Sequence, residues 1–458
     1  MSEPRIEPPS PMTTPAPLTR ASIFQQAWPI MLGQTTVPLV GMVDTIVVGR
    51  TGDAAALAGV ALGTTVVNFL FWSFGFLRMG MTGMTAQAQG AGDAEEVRAM
   101  LLRGLALGFG LGVVLFALQL LLVPLAFALL AGGGALDAAA SGYVGGRFFG
   151  APASLGVFAL NGWLLGLGRT RAALLLQIAM NLVNAVLDLW FVWGLGLGAR
   201  GVGLGTACAE WSALLLGIFL ALRILGPGAL GGLSARLFDR DTLRRLFAVN
   251  ADIMVRTVAL LVLFGWFANA GARLGEVPLA ANHVLMQFVS VSAFVLDGFA
   301  FTAESRIGEA IGRGARTELL RATRLTGEFT LAAGAAFALL IHLDGVPLIA
   351  AVTDHPEVRA HAVALLPFAA LVPLVGAPAW LLDGVFIGAT AGRSLRNAAV
   401  AATLLYLATD LLLRPWGAVG MWAALLASYA YRAAGLGLAL PRLVRSVGEP
   451  LAEAPREA

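Results

Sequence analysis

Long apolar stretches separated by short, arginine-bearing loops run through nearly the whole chain. Twelve of them approach the roughly 20 residues that a membrane-spanning helix needs. They cover residues 24–48, 56–81, 101–130, 141–166, 173–195, 202–223, 250–273, 279–303, 321–344, 360–388, 395–413 and 416–440. Gly, Ala and Pro recur throughout these stretches, which suits close helix packing in lipid. The pattern predicts an all-α integral membrane protein with twelve transmembrane helices.

The twelve segments form two copies at a fixed offset of 222 residues. Gly49, Leu57, Ala58, Ala88, Gly90 and Gly92 recur as Gly271, Leu279, Ala280, Ala310, Gly312 and Gly314. Further along, Gly162, Gly166, Arg171 and Asp188 recur as Gly384, Gly388, Arg393 and Asp410. A gapless shift that links polar and glycine positions is hard to obtain from shared hydrophobicity alone. Duplicated helical bundles with a pseudo-symmetric cleft are a common plan for secondary transporters, with the binding site where the repeats meet. The expected organisation is a tail over 1–20, a six-helix lobe over 21–223, a cytoplasmic linker over 224–249, a second six-helix lobe over 250–441 and a tail over 442–458.

Composition sharpens this picture. The hydrophobic fraction is 58%, the charged fraction 12% and the mean hydropathy +0.81, whereas a soluble chain is about 25% charged. All 30 basic residues are Arg and are spread along the loops, which gives no nucleic-acid-binding patch. Cys208 is the lone cysteine, so no disulfide forms within the chain, and the four histidines (His283, His342, His355, His361) lack metal-ligand spacing. The Pro-, Ser- and Thr-rich N-terminus lacks the basic-then-apolar order of a signal peptide. Loops after even-numbered segments hold most of the arginines, among them Arg98, Arg103, Arg169, Arg171, Arg236, Arg306, Arg313 and Arg393. The positive-inside rule then predicts that both termini are cytoplasmic. With an even number of segments per half, the pseudo-two-fold axis runs along the membrane normal. The charged stretch from Phe238 to Phe247 is expected to form an interfacial amphipathic helix.

Ionisable side chains are expensive in lipid, so each one inside a span is a functional candidate. Asp44 ends segment 1, and segment 5 carries Asn181, Asn184 and Asp188 on one helical face. Asn161 in segment 4 and Thr206 in segment 6 add neutral oxygens. Together they suggest a proton- or cation-binding pocket in the first lobe; the plainer reading has Asp44 capping a helix at the boundary. In the second half, Asp297 lies in segment 8, Asp383 in segment 10 and Asp410 in segment 11, and Arg256 in segment 7 is the expected internal counter-charge for one of them. Asp297, Asp383 and Arg256 serve either as substrate contacts or as structural ion pairs. Arg78 and Glu304 are read as facing the cytoplasm.

With these residues in view, the chain resembles the multidrug and toxic compound extrusion (MATE) transporters, and within them the DinF branch. The resemblance rests on Val43-Asp44-Thr45 with Gly49, Phe74-Gly75-Phe76-Leu77-Arg78-Met79-Gly80, Thr85-Ala86-Gln87-Ala88, Gly162-Trp163-Leu164-Leu165-Gly166 and Asn181 to Asp188. Asp297-Gly298-Phe299-Ala300 and Asp383-Gly384-Val385-Phe386-Ile387-Gly388 belong with them. It implies two six-helix lobes in a V around a central cleft, working as a cation-coupled antiporter in a bacterial inner membrane. It also implies that Asp44 is the coupling carboxylate, with Asp188, Asn184, Asn161 and Thr206 around it. Pro29 is the implied hinge of segment 1, although Pro38 lies in the same helix. Protonation of Asp44 or Asp188 would loosen hydrogen bonds and let segment 1 shift.

The expected cargo is an amphipathic and often cationic small molecule, and the expected partner is the lipid bilayer. No bound cofactor is expected, since the coupling proton or sodium ion is itself transported. A two-lobed chain can complete a cycle as a monomer. Sodium coupling is the nearest alternative, because the same oxygens suit a hard cation. A lipid-precursor flippase is the second, disfavoured by mostly acidic intramembrane charges. An intramembrane protease would want a paired-aspartate, Ser–Lys or His–Glu metal arrangement; the chain has no Lys and no His-Glu motif, and transport accounts for Asp44 with Asp188.

Overall fold

The computed structural model describes residues 18–130, 134–226 and 234–448, all helices and short connections, with no strand among the described residues. The first lobe comprises α1 (Arg20–Gly49), α2 (Ala54–Trp72), α3 (Phe76–Gly90), α4 (Ala94–Leu130), α5 (Gly134–Phe148), α6 (Ala151–Gly166), α7 (Thr170–Leu189) and α8 (Gly198–Leu225). After the short α9 (Ser234–Leu237), the second lobe comprises α10 (Arg240–Arg273), α11 (Glu276–Gly312), α12 (Arg316–Val352), α13 (Pro356–Gly388), α14 (Gly392–Leu413) and α15 (Gly417–Ser446).

These helices make twelve spans. A 3₁₀ turn at Ser73–Gly75 joins α2 and α3 into one, and α5 and α6 form another, bent by 52°. The break between α14 and α15 is a hairpin. Thr409 and Tyr431 lie 22 residues apart, about 33 Å on a straight helix, yet their hydroxyls are 3.0 Å apart. In lipid every backbone polar group must find an internal partner, which helices provide. Leu120 and Leu438, over 80% exposed, belong to the apolar surface that lipid covers.

The repeat holds to the residue. Helices α2, α4, α5 and α7 begin at Ala54, Ala94, Gly134 and Thr170; α11, α12, α13 and α14 begin 222 residues later at Glu276, Arg316, Pro356 and Gly392. The same backbone punctuation ends them. Gly92 and Gly314 have φ of 73° and 66°, the left-handed conformation that glycine adopts without steric cost. Gly168, at φ 66°, corresponds to Thr390 at φ 52°, where a β-branched residue is strained. Gln87 Nε2 and Arg245 donate to the Thr390 hydroxyl at 3.2 and 3.0 Å and hold it there.

Two expectations change. The stretch Phe238–Phe247 is no separate interfacial helix: Asp239 caps α10 by accepting from the Thr242 backbone, and the following residues are the first turns of the seventh span. At the other end α15 continues to Ser446, while the remaining tail residues, 1–17 and 449–458, lie outside the described residues.

The lobes meet along one half of their length. The C-terminal half of α3 packs on the C-terminal half of α11, and the N-terminal half of α1 packs on α11 beside them. A Cβ on Gly90 would lie 2.1 Å from the Glu309 carbonyl oxygen, and one on Gly312 would lie 2.0 Å from that of Gln87. Gln87 Nε2 also donates to the Gly388 carbonyl at 3.0 Å. All these positions are near the arginine-rich loops that follow even-numbered spans. Toward the opposite face, α2 packs on α1, α5 and α8 of its own lobe. The molecule is closed at the arginine-rich face.

Candidate functional site

In the first lobe, α1, α7 and α8 bring three of the expected groups around Asp44. Asp188 is fully buried in the last turn of α7, Asn184 lies one turn before it, and Asp44 is buried near the end of α1. Asn184 Nδ2 donates to Asp188 Oδ2 and to Thr206 Oγ1, both at 3.1 Å, and the Thr206 hydroxyl donates to the Val202 carbonyl at 3.0 Å. Gly205 makes room for the acid: a Cβ there would lie 2.1 Å from Asp188 Oδ1. The carboxyl groups of Asp44 and Asp188 lie within hydrogen-bonding reach of each other. Ionised carboxylates only accept, so a hydrogen bond between them requires a proton on one of the two. Without it, Asp44 Oδ1, Asp188 Oδ1 and Asn184 Oδ1 have no donor at all.

Asn161 is not part of this cluster. It lines a separate cavity of about 60 Å³ with Pro29, Gly33, Gln34, Arg78 and Phe301. Pro29 and Asp44 are fifteen residues apart on one continuous helix, about 22 Å, so this cavity lies at a different depth. Asn181 is likewise structural: its Nδ2 donates to Thr36 Oγ1 at 2.9 Å and ties α7 to α1. Pro29 is buried at mid-helix, leaving the Gln25 carbonyl without its helical donor, while Pro38 faces outward.

Two charges missed in the sequence reading stand beside the acid pair. Arg147 and Glu210 form a buried ion pair at 2.7 Å, and Arg147 is an electrostatic neighbour of both Asp44 and Asp188. Glu210 fills the break in the fourth span, where a Cβ on Gly150 would lie 2.2 Å from its Oε2. Both residues lie inside segments already read as spanning, so the rule for intramembrane charge would have found them.

The second lobe is built differently at the corresponding positions. Asp44 is replaced by Trp266, whose indole N–H donates to Asp410 Oδ2 at 2.8 Å. One acid with an indole donor and the Arg414 guanidinium at 3.9 Å needs no shared proton. The charges gather instead around Asp383, which takes Arg256 in a close ion pair and Arg432 at 3.5 Å. Asp297 lines the same cavity, beside Trp380.

Arg78 and Glu304 do not face the cytoplasm. They form a two-armed ion pair at 3.0 and 3.3 Å across the lobe interface, Glu304 fully covered and Arg78 lying 3.7 Å over the Phe301 ring. Helices α3 and α11 bury both residues where the lobes close. Removing one partner from such a pair costs about 3–5 kcal/mol, whereas replacing both by apolar residues is often neutral. Glu304→Ala is therefore expected to lower the apparent melting temperature in detergent, and Arg78→Met combined with Glu304→Met to recover most of the loss. Equal losses in the single and double variants would show that the charges are not what matters.

A family model described as MatE matches residues 29–190 and 254–412. DNA damage-inducible protein F of Escherichia coli (strain K12) is 36% identical over 419 residues, 91% of each chain. A probable multidrug resistance protein NorM of Bradyrhizobium diazoefficiens is 30% identical over 377 residues, 78% of this chain and 77% of the relative. Among solved structures, an outward-facing conformation of a multidrug resistance MATE family transporter superposes with a TM-score of 0.84 at 19% identity, covering 93% of this chain and 97% of that one. At that identity the likeness is one of fold.

Proposed function

The chain belongs to the MatE family of multi-pass membrane transporters, and from that premise we propose that it is a proton-driven antiporter exporting amphipathic organic molecules. One observation carries the coupling: the buried pocket of Asp44, Asp188 and Asn184, in which the Oδ1 atom of each lacks a donor. Taking up a proton there completes the Asp44–Asp188 hydrogen bond and removes a buried charge. Losing it leaves two carboxylates facing each other, which repels α1 from α7. Pro29 supplies the weak point at which α1 bends.

The relatives' names speak of multidrug resistance, which supports a broad range of drugs and metabolites as cargo. Asp297, Asp383 and Arg256 are the proposed cargo contacts. The arginine-rich loops support both termini being cytoplasmic in a bacterial inner membrane. The closed face is then the cytoplasmic one, and the cleft opens outward. A single chain holds both lobes and works as a monomer.

The test is transport in proteoliposomes with a fluorescent organic cation and a fluorescent organic carboxylate, each under an imposed proton gradient with and without sodium. Proton-driven movement independent of sodium is expected. Dependence on sodium at constant pH would keep the pocket and change its ion. No gradient-driven movement by a folded protein would overturn the antiport reading in favour of a flippase.

A further inference from the structure

The two lobes carry opposite imbalances at matching places. In the first lobe, the repeat positions Gln34, Asn161 and Glu210 hold amides and an acid; 222 residues later stand Arg256, Asp383 and Arg432. The first lobe leaves buried acceptors unpartnered, among them Asn161 Oδ1, and the second leaves buried donors, Arg256 Nε and Arg432 Nε. Both arginines are 7% exposed. Each guanidinium carries five N–H donors, and one carboxylate offers about four acceptor sites. Asp383 alone cannot satisfy both. Of the neighbouring acids, Glu304 is already taken by Arg78, and Asp297 makes no ion pair with either arginine.

These donors line a cavity of about 180 Å³. Its wall is Trp380 stacked on Tyr429, ring centroids 5.1 Å apart and planes 16° apart, with Arg432 lying 5.4 Å over the Tyr429 ring. Flat aromatic faces beside a forked, donor-rich cationic pair fit a flat apolar group that bears a carboxylate. Asp297 also lines the cavity, which disfavours a doubly charged phosphate relative to a singly charged carboxylate.

We propose that this second-lobe cavity binds the carboxylate of an organic cargo through Arg256 and Arg432, with the cargo's ring against Trp380 and Tyr429. The site names a cargo class for the exporter proposed above and rests on that reading for its role, but binding itself requires no gradient.

The experiment is equilibrium binding to purified protein in nanodiscs. Three probes share one ring system: 2-naphthoate, 2-naphthylmethylammonium and 2-naphthalenemethanol. Naphthoate is expected to bind about tenfold or more tightly than the other two. Arg256→Gln and Arg432→Gln should each weaken naphthoate by about tenfold or more and leave the alcohol unchanged. Arg432→Lys, which keeps the charge and loses the fork, should fall between. Equal or tighter binding of the ammonium by the wild type would overturn the proposal, as would undiminished naphthoate binding by monodisperse Gln variants. Naphthoate binding without any gradient-driven transport would remove the antiport reading and leave this site standing.

Discussion

Replacing Asp44 with Asn is expected to cut gradient-driven transport by about 150-fold, the upper end of ordinary coupling free energies, without lowering the apparent melting temperature. Asn has nearly the shape of Asp, and its amide can donate to Asp188 with no shared proton. The fold thus keeps its hydrogen bond and loses a buried charge. What disappears is the alternation between one proton shared and none. Asp188→Asn removes the same alternation, so the double variant should be no worse than either single one, because residues acting as one unit are not additive. Proteoliposome flux for the three variants, beside thermal melts, checks this. Near-normal flux in Asp44→Asn would move the coupling site elsewhere, and a collapsed melting temperature would make the pair structural. Trp266 and Asp410 provide an internal control. They occupy the matching positions of the second lobe, but a neutral N–H already satisfies the acid there. Asp410→Asn is expected to disturb packing and leave the ion dependence of transport unchanged.

Much of this arrangement was written locally along the chain. The twelve spans, the 222-residue repeat and the placement of Asp188 and Asn184 one turn apart all follow from hydropathy and helical period, which depend on near neighbours. The Gly92 and Gly314 turns follow from glycine's tolerance of positive φ. Pairings between distant helices did not follow. Periodicity assigns Glu304 to a face of its helix, but nothing in its own span says that Arg78 of the other lobe covers it. Asn161 went astray for the same reason: composition gives a polar atom in a span, and depth decides which pocket it reaches. Trp266 was within reach, since the offset that relates the lobes leads directly from Asp44 to it. The informative change there is an acid replaced by an indole, which a rule for intramembrane charge does not flag.

Leucine at Gly90 or Gly312 is expected to hold the lobes apart at the arginine-rich face and to reduce transport by about tenfold or more. In each case a Cβ would fall near 2 Å from a carbonyl oxygen of the opposing lobe, where ordinary contact needs about 3.5 Å. The obstacle is backbone, which cannot swing aside as a side-chain tip can, so α3 and α11 must part by about 1 Å or more. Overpacking of this kind costs about 1–3 kcal/mol, and every 1.4 kcal/mol is tenfold in an equilibrium. The cost falls on the closed arrangement alone, since separated lobes have room for the side chain. Gly162 provides the contrast: its Cβ would lie 2.3 Å from the Arg78 carbonyl, inside one lobe. Gly162→Ala should therefore destabilise the fold, whereas Gly90→Leu and Gly312→Leu should shift the balance between conformations and leave the melting temperature nearly unchanged. Spin labels on Ala94→Cys and Arg316→Cys, in a Cys208→Ser background, report the separation across that face. A longer distance with a normal melt is the expected outcome. An unchanged distance with normal transport would mean that this closed face is not a state the protein must visit.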